Sequence, residues 1–198
     1  LILPNQNPSA TKPASLPKTG HKLDATSTLS DIEGDQMSAI LQHKRAGSDV
    51  WKEVNMTVQG STARYTLSTA NGYVPKQRVQ FRVLVRDIYG GESFSEVTET
   101  SIPNRLPSIG TVTIEDEEGT HNFYVEVTGS DPDYDQLFPM CYFRKVNETV
   151  WNTFYVAYRV NIQGELGAEY EVKFKLSDSY EEVFSDILVH TAPNSCPT

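Results

Sequence analysis

Val79-Gln80-Phe81-Arg82-Val83-Leu84-Val85-Arg86 places apolar residues on its odd positions and mostly polar ones between them. Further along, Tyr170-Glu171-Val172-Lys173-Phe174-Lys175-Leu176-Ser177 repeats that pattern. A period of two marks a β-strand. One dry face and one wet face mark an antiparallel sheet packed on a single side. The two stretches are copies of one element, 91 residues apart.

Working outward, the copying extends over the chain. Upstream the register is 100: Leu23, Ala25 and Ser27 match Phe123, Val125 and Val127, Asp31 and Asp35 match Asp131 and Asp135, and Val50-Trp51 matches Val150-Trp151. Downstream, Asp87 and Tyr89 match Asp178 and Tyr180 at 91, and Phe94-Ser95 matches Phe184-Ser185 at 90. The second copy is shorter after its Trp, an indel of the sort loops accept. A short phrase also recurs: Pro4-Asn5-Gln6-Asn7-Pro8, Pro103-Asn104-Arg105-Leu106-Pro107 and Pro193-Asn194-Ser195-Cys196-Pro197. Its spacings of 99 and 90 are one small domain each. Leu1-Ile2-Leu3 before the first phrase reads as the end of a strand.

This repetition predicts an excerpt of a tandem array. Residues 1–8 are the tail of a preceding repeat and its linker, 9–103 a first sandwich, 104–193 a second, and 194–198 a linker to the next. Asn7 to Gly20, rich in Pro, Ser, Thr and Lys, reads as a linker leading into a short edge strand.

Turn signals punctuate both copies: Glu33-Gly34-Asp35, Ala46-Gly47-Ser48, Asn71-Gly72 and Tyr89-Gly90-Gly91. No long stretch carries a helical period. Seven strands are predicted in the second copy, over 110–116, 121–129, 136–146, 151–156, 157–162, 169–177 and 183–192. The fold class is all-β, two tandem β-sandwiches. Hydrophobic content of 38% suffices for one modest core per copy. The net charge of −9 argues against nucleic acid and is compatible with cation binding. No apolar run is long enough to span a bilayer, so no membrane contact is expected from this stretch.

Val79 to Ser93 resembles the last hairpin of a fibronectin type III domain. Trp51-Lys52-Glu53-Val54-Asn55-Met56, together with Asp31-Ile32-Glu33-Gly34-Asp35, is similar to Ig-like and fibronectin III-like repeats of microbial (bacterial or archaeal) cell-surface or filament proteins. That resemblance implies an extracellular or cell-surface setting. The second copy departs from the pattern where Tyr134 replaces Gly34 and Glu181-Glu182 replace Gly90-Gly91.

The acidic loops are the leading candidate site. Asp31, Glu33 and Asp35, and likewise Asp131, Asp133 and Asp135, put carboxylates on alternate positions of a loop, which is what a hard cation such as calcium requires. Asp87 and Asp178 belong to the neighbouring loop of the sandwich. The incoming linker places Asn5 near the first cluster and Asn104 near the second, an arrangement similar to the calcium-stiffened junctions of cadherin-like arrays. The alternative is that these Asp side chains accept bonds from backbone N–H groups two residues on.

Asn55-Met56-Thr57 and Asn147-Glu148-Thr149 are glycosylation sequons, with Asn147 in a hairpin turn. Trp51 and Trp151 read as packing residues, with sugar stacking the alternative. Cys141 faces the core of its strand. Its pairing with Cys196 across a strand interior and a linker is left open, as is pairing of Cys196 with a further repeat. The four histidines lack metal-ligand spacing and no nucleophile motif occurs, so no catalysis is expected.

These features favour a non-catalytic structural repeat of an extracellular rod, filament, surface layer or adhesin stalk. Its partners would be neighbouring repeats or identical subunits, and it would carry glycans. The alternatives are a carbohydrate-binding accessory region of a secreted enzyme, marked by an exposed row from Tyr142, Tyr155 and Tyr158, or the ectodomain of a surface receptor.

Overall fold

The computed structural model describes residues 4–155 and 158–194. Leu1-Ile2-Leu3 and Cys196 lie outside them. The chain divides into two compact units, Leu1–Asn104 and Arg105–Thr198.

In the first unit the strands are β1 (Ser9–Ala10), β2 (Ala14–Lys18), β3 (Lys22–Ser30), β4 (Met37–Arg45), β5 (Lys52–Asn55), β6 (Thr57–Gln59), β7 (Thr62–Leu67), β8 (Arg78–Asp87), β9 (Glu92–Phe94) and β10 (Thr98–Ser101). One antiparallel sheet runs β1-β3-β7-β6, with β2 also on β3; the other runs β10-β8-β4-β5, with β9 also on β8. The period-two pattern explains the layering: Leu23, Ala25, Leu41, Val79, Phe81, Val83, Val85 and Ile102 are buried in one cluster between the sheets. Asn7 to Gly20 differs from its sequence reading. Half of it folds as the edge strands β1 and β2, and Pro17 is tolerated there because an edge position need not donate to the ladder.

The second unit contains β11 (Ser108–Asp116), β12 (Phe123–Ser130), β13 (Phe138–Lys145), β14 (Asn152–Tyr155), β15 (Arg159–Ile162), β16 (Glu169–Ser177), β17 (Glu182–Phe184) and β18 (Leu188–Thr191). A sheet ordered β11-β12-β15 faces one ordered β14-β13-β16-β17, with β18 also on β16. Phe123, Val125, Cys141, Ile162, Val172 and Phe174 form the buried cluster between them. The last strand expected from the sequence is split. Ser185 bonds its backbone N–H to the Phe174 carbonyl while its hydroxyl takes the Phe174 N–H, which interrupts regular pairing. Ser95 does the same to Val83 in the first unit.

Among the described residues no helix is long and apolar enough to cross a membrane. The architecture is all-β, as the sequence indicates, with one 3-10 turn among the described residues, at Thr69–Asn71.

Candidate functional site

Each acidic loop is held by its leading aspartate. Asp31 Oδ1 accepts the N–H groups of Glu33 and Asp35, both at 3.0 Å. Asp131 Oδ1 accepts those of Asp133 at 2.7 Å and Asp135 at 3.2 Å. One oxygen thus does the loop-closing work expected of Asp in such turns. The other is different. Asp31 Oδ2 and Asp131 Oδ2 are buried and accept no hydrogen bond among the described residues. The Oδ1 atoms thus do what the backbone-capping alternative expects, and the Oδ2 atoms take no part in it.

Tyr134 keeps the loop closed the same way Gly34 does. Both sit in the left-handed region, at φ 66° and 78°. The replacement of glycine leaves the loop conformation intact and adds backbone strain to it.

In the second unit, carboxylate oxygens of Asp131, Asp135 and Asp178 lie within 4.8 Å of one another. Asp178, just after β16, is itself fixed through Oδ1, which accepts the N–H groups of Tyr180 at 2.7 Å and Glu181 at 2.6 Å. Asp133 stands apart from this trio, because its Oδ2 accepts the Arg105 N–H at 2.7 Å. Asn104 is half-buried at the end of the first unit.

In the first unit the converging carboxylates are Asp31, Glu33 and Asp35. Asp87 Oδ1 accepts Tyr89 and Gly91 N–H groups, and its Oδ2 accepts the Asn5 side-chain amide at 2.9 Å. Asn5, expected near the Asp31 cluster, bonds to Asp87 of the neighbouring loop. That bond first, and then the backbone N–H groups of Gly91, Tyr89 and Gly90, hold the Asp87 carboxyl below its ordinary range. Asp35 is shifted the other way. Partial burial, and then the carboxylates of Asp31 and Asp87, raise it. Like charges are being held together at some cost.

Two oxygens bound to one calcium ion at about 2.4 Å each can be at most about 4.8 Å apart. The spread of either trio fits one shared hard cation without rearranging a loop.

The remaining sequence candidates fall into place separately. Asn147 is exposed in the turn after β13, and Asn55 is exposed at the end of β5 beside buried Met56. Cys141 is a free thiol at 0% exposure, and burial pushes its pKa up to about 12, so it is an inert core residue. Any bridge to Cys196 lies outside the described residues. Trp51 packs under Lys44 and Arg82, and Trp151 under Arg144 and Lys173, each cation 4.4–4.7 Å from the ring centroid. Both tryptophans are half-buried and already covered by cations of their own unit, which favours packing over sugar stacking at those rings.

Sequence reasoning missed a pair of histidines. His21 Nδ1 donates to the carbonyl of Pro103 at 3.0 Å, and His121 Nδ1 to that of Pro193 at 2.9 Å. Their spacing of 100, the register of the repeat, was the available signal.

No protein-family model and no curated protein matches this chain. Among solved structures it is similar to the FN1-FN3 domains of chicken CNTN1, at 14% identity and a TM-score of 0.41, over 95% of this chain and 69% of that one.

Proposed function

We propose that this chain is a non-catalytic pair of structural repeats from an extracellular rod, filament, surface layer or adhesin stalk, and that calcium stiffens the acidic end of each sandwich. The observation that carries this reading is the duplication itself. One scaffold occurs twice with the same internal devices: a histidine tied to the closing proline, a serine interrupting the last strand, and an aspartate that closes a loop with one oxygen and leaves the other buried. Domain arrays are built by such copying, and they work by position and length rather than by one reacting centre.

Calcium enters through the carboxylate geometry and through charge. From Arg105 onward the chain has 16 acidic and 6 basic residues, against 10 and 11 up to Asn104. The second unit concentrates the negative charge that a divalent cation relieves. The extracellular setting is supported by the resemblance to surface repeats and by the exposure of both sequons. Neighbouring repeats or identical subunits are the partners this reading supplies.

Antibody labelling of the source cells tests it. Label on intact cells or on material shed from them is expected. Label that appears only after permeabilisation overturns the reading.

A further inference from the structure

We propose that the outward face of the β14-β13-β16-β17 sheet binds an acidic saccharide, a glycan bearing uronate- or sialate-type carboxylates. Four residues form a cross-strand row on that face. Tyr155 is paired with Met140, Met140 with Lys175, and Lys175 with Phe184. The next row brings Tyr142 beside Lys173. Tyr155 is 70% exposed and Phe184 52%, and the Tyr142 and Phe184 ring centroids are 6.3 Å apart. The face gathers three aromatic rings around two lysines.

The two lysines differ. Lys175 is paired with Glu182 at 3.0 Å, and that bond raises its pKa. Lys173 has no carboxylate partner among the described residues. Its ammonium is held by ring faces, 4.6 Å from Trp151, 5.5 Å from Phe184 and 5.6 Å from Tyr142.

The first unit shows what a purely structural version of this face looks like. Arg82 occupies the position of Lys173, stacked on Trp51 and Phe94. There Arg82 donates to Gln42, and Gln42 donates to Glu53, so a carboxylate closes the chain. In the second unit Tyr142 stands where Gln42 does, and Thr153, paired with Tyr142, where Glu53 does. The neutralising chain has been exchanged for a ring. The cation remains, without its counter-charge, in a unit that has 16 acidic and 6 basic residues. An anionic ligand is the complement of that change.

The ligand class follows from where the rows sit. Peptides are held at sheet edges or in grooves through main-chain bonds. Here β13 and β16 are interior strands whose N–H and C=O groups are engaged in the ladder. Only side chains are available: ring faces, and one ammonium. Stacked sugar rings with a carboxylate use both. This site is independent of the calcium loops and of the rod reading, and its failure would leave those standing.

The test uses the whole chain on an array of uronate- and sialate-bearing glycans, each printed beside its carboxyl-reduced form, with a hexaglutamate peptide as a further spot. Binding to carboxylated glycans over their reduced forms is expected, weakened at least tenfold in Lys173→Gln and in Tyr155→Ala. Tyr155 is exposed enough that its variant folds normally, which thermal unfolding verifies. Silence across the carboxylated glycans, equal binding to reduced forms, indifference to both substitutions, or preference for hexaglutamate would each overturn the proposal.

Discussion

His121 Nδ1 lies 2.9 Å from the carbonyl oxygen of Pro193, a residue 72 positions further along the chain. The carbonyl can only accept, so the ring nitrogen donates. The bond ties the start of β12 to the segment that follows β18, and His21 and Pro103 repeat it in the first unit. Each sandwich ties the segment after its last strand to the entry of β3 or β12 with one side chain.

Removing that donor leaves the proline carbonyl without its partner. His121→Ala is expected to destabilise the second unit by about 1–2 kcal/mol, the cost of a lost bond to a partly buried acceptor. Urea unfolding of the whole chain measures it, and the transition of the first unit should not move.

Tyr134 is 86% exposed and sits at φ 66°. Tyr134→Gly is expected to stabilise the second unit by about 0.5–1 kcal/mol, since the relief of left-handed strain exceeds the entropy glycine adds to the unfolded chain. The same unfolding experiment reads it, with opposite sign to the histidine variant.

Calcium should bind through the converging carboxylates of Asp131, Asp135 and Asp178. Isothermal titration is expected to show heat for calcium in the wild type. Asp131→Asn and Asp135→Ala should each weaken it in the second unit by tenfold or more. Asp133→Asn should weaken it less, because Asp133 faces the Arg105 N–H. In the first unit, calcium should move the Asp35 titration midpoint downward, reversing the upward push of Asp31 and Asp87. Carbon-detected carboxyl titration follows that midpoint directly.

Glu117 and His43 contribute acid sensitivity to different units, beside the depressed Asp87 of the first. Glu117 accepts bonds from the side chains of Asn122, Tyr124 and Thr120, which hold it below its ordinary 4.5. A carboxyl depressed in the folded state contributes stability that is complete above the unfolded value and lost as pH falls through the folded one. The second unit should therefore weaken below about pH 4.5. His43 acts in the first unit. It is 3% exposed and its Nδ1 shares a hydrogen bond with the Tyr73 hydroxyl, and burial lowers its pKa below 6.5. Protonation favours the unfolded chain, so stability there should decline as pH drops below about 6.5. Glu117→Gln should remove the first effect and leave the second.

The scaffold was legible because sandwich cores are periodic. Val79 to Arg86 and Tyr170 to Ser177 announced β8 and β16 through alternation alone, and all their core-facing residues are buried. Edge strands are not legible that way. Ser9–Ala10 and Ala14–Lys18 have the composition of a linker, since an edge with mostly exposed side chains needs little apolar content. The acidic loops could be found, but their division of labour could not. Which oxygen of Asp131 turns inward, and that Asp133 turns to Arg105, depends on loop geometry that residue types do not encode. The histidine latches were hidden for another reason: a bond spanning 72 or 82 residues leaves no local pattern, only an identity between copies.

Asn147, exposed in its turn, is expected to carry a glycan in native material, with Asn55 the second acceptor. Intact mass before and after enzymatic deglycosylation checks this. An unmodified native mass would count against the extracellular setting.

Electron microscopy of native material tests the structural-repeat reading most directly. Strands of up to about ten residues at about 3.3 Å each, with a short connection, set a bead spacing of roughly 35–45 Å along the fibre. Rods or filaments with that repeat, labelled along their length by antibody to this chain, are the expected result. Native material found only as compact isolated particles, with no periodic beads, would contradict it.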